Sequence, residues 1–178
     1  RNNSRFATNS LYNRQGQRKY LTPLERRLFL QAACTNHDDI RLFARTILET
    51  GCRISEALSL KRQHIDCVDQ VIIIPCLKKR QSGIFRAVPV SPDLMASLVS
   101  YSETRSVLWP WCRMTGYRRV KEIMKTAGIT GPQATPKGLR HGFAVATIDL
   151  GIPLNMVQRW LGHADMATTA IYAHAMGQ

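Results

Sequence analysis

The stretch Pro136-Lys137-Gly138-Leu139-Arg140-His141-Gly142-Phe143-Ala144-Val145-Ala146-Thr147-Ile148-Asp149-Leu150-Gly151 decides how this chain is read. It predicts a helix from Pro136 to Leu150 that stops at Gly151. At 100° per residue, Leu139, Phe143, Ala146 and Leu150 cluster on one face, and Lys137, Arg140 and His141 fall opposite. Lys137 and Arg140 are three residues apart, so their side chains are neighbours. The expectation is a helix that buries an apolar stripe and presents cations elsewhere.

Downstream, a second helix begins at Pro153 and stops at Gly162, within Trp160-Leu161-Gly162-His163. A third begins near Asp165 and carries Tyr172, nine residues after His163. Upstream, the pattern is again mostly helical. Thr22-Pro23-Leu24-Glu25 forms a capping box with Pro at the first helical position. Ile40, Phe43, Ile47 and Leu48 recur at helical spacing between Asp38 and Thr50, and Gly51 is a good stop. A short helix carries Ile54, Ala57 and Leu58. Then the period changes. Val71-Ile72-Ile73-Ile74-Pro75 and Phe85-Arg86-Ala87-Val88-Pro89-Val90 read as paired strands, joined by the basic turn Lys78-Lys79-Arg80-Gln81-Ser82-Gly83. Helices follow around Leu94, Leu98 and Tyr101 and from Tyr117 to Ala127, separated by a Trp109-Pro110-Trp111 loop. The predicted fold class is mainly α with a small antiparallel β-sheet (α+β).

The 178 residues suit one domain, or one plus a small appendage. Lys+Arg is 25 and Asp+Glu is 12, a net charge of +13 that favours an anionic partner. A hydrophobic share of 44% excludes a disordered chain. No apolar run approaches the roughly 18 residues of a membrane span, and no signal-peptide core follows Arg1-Asn2-Asn3-Ser4-Arg5. The chain does not begin with Met, so it is expected to be a fragment, a processed form or a partly ordered chain. Five scattered cysteines, with no CxxC pair, read as reduced and structural, in keeping with a cytoplasmic protein. No metal-ligand cluster is visible in the sequence. Residues 1–20 are polar and basic and read as a tail or linker, either solvated or laid along nucleic acid.

Three segments carry the chemistry. Arg53 follows a helix stop in Thr50-Gly51-Cys52-Arg53-Ile54-Ser55-Glu56, with Glu56 in reach of its guanidinium. Gly138-Leu139-Arg140-His141-Gly142-Phe143-Ala144 supplies a second Arg. Leu161-Gly162-His163 leads to Tyr172. In this order, with the basic hairpin between the first and second, the chain resembles the catalytic domain of a tyrosine recombinase, of the phage integrase family. The resemblance spans roughly Thr22 to the C-terminus, so residues 21–178 are expected to form that domain.

The resemblance implies roles by position. Arg53 and Arg140 are the two catalytic arginines, His163 the third-box histidine and Tyr172 the nucleophile. Lys78 is the hairpin general acid, with Lys79 the alternative because hairpin register is hard to fix from sequence. Lys79, Arg80 and Arg86 are expected to bind DNA. Glu56 supports Arg53, and His141 is expected to be structural. The second box usually reads His-x-x-Arg, and here Lys137 stands at the His position. A lysine contacts a phosphate oxygen as a cation but does not titrate near neutrality as imidazole does.

The implied reaction is attack of Tyr172 on a DNA phosphodiester, giving a 3′-phosphotyrosyl enzyme and a free 5′-hydroxyl. Both arginines would hold the non-bridging oxygens. The covalent link conserves the bond energy, so no cofactor is expected. The partner implied is double-stranded DNA, with a tetramer on DNA and a monomer or weak oligomer alone. Two alternatives stand beside site-specific recombination: a type IB topoisomerase and a non-catalytic DNA-binding regulator. The target sequence, and the choice among integration, excision, inversion and resolution, are not written in the chain.

Overall fold

The computed structural model describes residues 11–77, 83–163 and 166–175. Helix α1 (Pro23–Cys34) opens with the predicted capping box: Thr22 Oγ1 accepts from the Glu25 N–H, and the Glu25 carboxylate accepts from Thr22 N–H at 2.8 Å. Helix α2 (Asp38–Thr50) ends at Gly51, and the short helix α3 (Ile54–Leu58) follows. A 3-10 turn leads into strands β1 (Ile65–Asp66), β2 (Val71–Pro75) and β3 (Phe85–Pro89), an antiparallel sheet in the order β1-β2-β3. In its register Ile72 faces Val88 and Ile74 faces Arg86. Helices α4 (Pro92–Ser102), α5 (Arg113–Thr126), α6 (Pro136–Asp149), α7 (Leu154–Leu161) and α8 (Met166–Ala175) complete the described chain.

Helix α6 is central. It packs against α1, α2, α5, α7 and α8. Thr135 Oγ1 caps it by accepting from the Gly138 N–H at 3.0 Å. Its entry is tight: a Cβ on Gly138 would lie 1.8 Å from the Gln133 carbonyl oxygen. Because helices surround it, the expected split into an apolar and an exposed cationic face holds only at Lys137, which is exposed. Leu139, Phe143, Arg140 and His141 are all buried, whereas Leu150, beyond the last turn, is 80% exposed.

The basic segment expected as a tail is not one over residues 11–20. Tyr12 and Arg18 bridge across a turn, Lys19 N–H donates to Leu11 C=O at 2.8 Å, and Leu11 is buried in the core. Leu11 seats the segment in the core, and Arg18 ties it to α1 through an ion pair with Glu25. Among the described residues no helix is long and apolar enough to cross a membrane.

Candidate active site

A cleft of about 730 Å³ is lined by Arg53, Lys137, Arg140, His141, His163 and Tyr172. They arrive from four places: the turn after α2, the first half of α6, the end of α7, and α8.

The turn after α2 depends on Gly51. Its φ is +64°, and a Cβ there would lie 2.5 Å from Phe143 Cδ1. Only glycine both adopts that conformation freely and lets the turn lie against α6. The turn also aims a carbonyl at α6. Arg140 Nη1 donates to Gly51 C=O at 2.8 Å, and Nη2 donates to Leu161 C=O at 2.7 Å. Both acceptors lie at helix C-termini, where the backbone carries partial negative charge. Arg140 is thus buried yet fixed at two points, with other N–H groups left for the cleft. Burial, then Arg53 and Arg86, lower its pKa to about 10, so it stays cationic at neutral pH.

Arg53 caps α3 and keeps 30% of its side chain exposed. Its Nη1 donates to Glu56 Oε1 at 3.1 Å, and its backbone N–H donates to Glu56 Oε2 at 2.9 Å. Glu56 holds a second guanidinium: Arg86 Nη2 donates to Oε2 at 2.7 Å and Nη1 to Oε1 at 3.2 Å. Burial pushes the Glu56 carboxyl up, but Arg86 and Arg53 outweigh it and hold the pKa below its ordinary value.

Arg86 therefore corrects an expectation. It does not face out toward DNA. Its side chain is 4% exposed, and its Nε donates to Trp160 C=O at 2.6 Å. Strand alternation places it on the buried face with Val88. A guanidinium whose donors are taken up inside the fold is not available to a DNA phosphate. Lys78, Lys79 and Arg80 lie outside the described residues.

Tyr172 is 2% exposed, and its Oη lies 2.7 Å from His141 Nδ1. Burial raises the phenol pKa to about 12 against the opposing pull of Arg140 and Arg53. His163 Nδ1 lies 2.8 Å from Thr169 Oγ1. Burial, then Arg140, Arg53 and Arg86, depress its pKa to about 4. His141 falls to about 3 through burial, then Lys137, Lys19, Arg140 and His163. Both imidazoles are neutral at pH 7. The cleft is a cage of fixed cations and uncharged rings, suited to a single anionic group.

Among the groups that escaped the sequence are Lys19, Arg113 and Thr169. Lys19 also lines the cleft, and its pKa is lowered by burial and by Lys137. Nothing local signals this, because the chain near Lys19 is tied to α6 through Leu21 N–H donating to Gly138 C=O at 3.3 Å. Thr169 is buried against His163, a contact set by how α8 docks.

Residues 19–178 match the phage integrase family, and the chain belongs to it. A tyrosine recombinase XerA of Saccharolobus solfataricus is 31% identical over 142 residues, covering 80% of this chain and 47% of the relative. The crystal structure of a XerA recombinase superposes with a TM-score of 0.75 at 26% identity, covering 87% of this chain and 60% of the other. The site-specific recombinase XerH, in a post-cleavage complex with palindromic difH substrate, gives a TM-score of 0.72 at 26% identity, covering 88% of this chain and 50% of the other. The fold is that of a tyrosine recombinase catalytic domain. The chain spans about half the length of the curated relatives it matches.

Proposed function

We propose that this chain cleaves and rejoins double-stranded DNA through a 3′-phosphotyrosyl intermediate, as the catalytic part of a site-specific recombinase. The observation that carries this reading is the convergence of Arg53, Arg140, His163 and Tyr172 on one cleft. XerH was captured with its DNA substrate after cleavage, which supports DNA as the partner here.

In this reading the scissile phosphate enters between Arg53 and Arg140. Arg140 is held in advance by two carbonyls, so it needs no reorganisation as charge grows on the non-bridging oxygens. His163, uncharged, adds a neutral hydrogen bond. Lys137 adds a cation at the cleft wall. Tyr172 attacks phosphorus, the P–O5′ bond breaks, and the leaving oxygen takes a proton from Lys78 or Lys79. Reversal by a 5′-hydroxyl of another strand exchanges partners. The +13 charge supplies the sequence-independent part of binding. The chain acts in the cytoplasm, as a monomer or weak oligomer when free and as a tetramer on DNA.

The test is covalent capture. The probe is a duplex pool of random sequence carrying a 5′-bridging phosphorothiolate, whose thiol leaving group does not religate. The wild-type chain is expected to form an adduct that survives SDS, and Tyr172→Phe none. An adduct of wild-type yield in Tyr172→Phe overturns the nucleophile assignment.

A further inference from the structure

We propose that His141 is the proton acceptor for Tyr172, a catalytic residue in direct contact with the attacking atom. This rests on the reading of Tyr172 as nucleophile.

A phenol must lose its proton as it attacks, so an acceptor must touch Oη. Arg53, Arg140 and Lys137 have no acceptor atom. Glu56 is occupied by two guanidiniums. His163 Nδ1 is engaged with Thr169, and among the described residues no hydrogen bond joins its ring to Oη. His141 Nδ1 lies 2.7 Å from Oη, a normal hydrogen-bond distance, and both side chains are buried.

The rest of the ring makes no other polar contact among the described residues. His141 Nε2 is buried and has no hydrogen-bond partner among the described residues. Here one polar contact holds the ring, and that contact is the phenol.

Charge sets when transfer occurs. Burial first, then Lys137 on α6, Lys19 on the N-terminal segment and Arg140 on α6, disfavour an imidazolium at His141. In the free chain the proton stays on Tyr172, and the nucleophile is silent. A phosphodiester in the cleft brings negative charge into this cationic surround and lowers the cost of the imidazolium. The proton passes as the bond to phosphorus forms: the O–H bond of Tyr172 breaks, N–H forms at Nδ1, O–P forms and P–O5′ breaks. On religation the departing phenolate takes the same proton back.

Two measurements test this. The first is 15N NMR of histidine-labelled chain. His141 is expected as the Nε2–H tautomer, with Nδ1 unprotonated and hydrogen-bonded. A proton resident on Nδ1 in the free chain overturns the proposal. The second uses the phosphorothiolate pool, which needs no proton donor for its leaving group. His141→Asn keeps an acceptor near the Nδ1 position but cannot take a proton. It is expected to lower the rate of adduct formation by about 10²- to 10³-fold with DNA affinity and melting temperature retained. Its rate should rise about tenfold per pH unit from 6 to 9, as hydroxide replaces the lost base, while the wild-type rate rises less. Adduct formation by His141→Asn at the wild-type rate and with the wild-type pH profile overturns the proposal. If His141→Asn does not fold, the tautomer decides. Failure of Tyr172→Phe to block the adduct strikes the nucleophile reading instead, so the two failures are distinct.

Discussion

Glu56 shows how one buried side chain couples folding to chemistry. Its two oxygens hold Arg86 inside the fold and Arg53 at the cleft rim. Glu56→Ala would leave Arg86 as an uncompensated buried cation, a class of change that costs about 3–5 kcal/mol. We expect a large loss of chemical stability in urea melts, beyond any loss of activity; a change under about 1 kcal/mol would mean Arg86 finds water or another partner. Acid should act in the same direction at three groups. His141 and His163 have folded pKa values of about 3 and 4 against an ordinary 6.5, and Glu56 sits below its ordinary 4.5. In each case the unfolded chain binds more protons across the window, so stability rises with pH there. The urea midpoint should therefore fall steadily as pH drops from about 6.5 to 4, the two histidines first and Glu56 joining below about 4.5. His141→Asn should flatten that slope. A midpoint that is constant over this range would contradict the placement of these rings.

At the scale of elements, α6 is held by geometry that tolerates little. Gly138→Ala would drive a methyl into the Gln133 carbonyl. We expect roughly 3 kcal/mol of destabilisation or more, read as a lower melting temperature; a wild-type melting temperature would show that the loop before α6 moves aside freely. Most elements were legible because caps, stops and periods are local signals. The Thr22–Glu25 box and the Gly51 stop stand where they were read. Strand β1 was missed, since two residues carry no period and exist only through pairing with Val71 and Ile72. Arg86 departs from its expected place on DNA, and alternation with Val88 along β3 is the sequence signal that puts it inside. The facing of α6 departs from its periodicity for a deeper reason: a helix packed by five others buries Arg140 and His141 too, leaving Lys137 exposed, and one helix's periodicity does not count its neighbours. The His141–Tyr172 contact and the approach of Lys19 to Lys137 join residues distant in sequence, and no local pattern encodes them.

For the whole molecule, the two arginines, the histidines and the tyrosine are spread from residue 53 to residue 172, and only the folded chain makes them one site. The free protein is expected to sediment as a monomer or weak oligomer, and a stable tetramer without DNA would contradict that. DNA affinity should fall steeply with salt, linearly in log–log form, because bound Lys and Arg release phosphate counterions. An affinity independent of salt would argue against a phosphate-tracking surface. The most direct test of the central claim is peptide mapping of the covalent adduct by mass spectrometry after digestion of protein and DNA. A nucleotide phosphate is expected on Tyr172, linked through its 3′ side. Phosphate on any other residue, or a 5′ linkage, would contradict it.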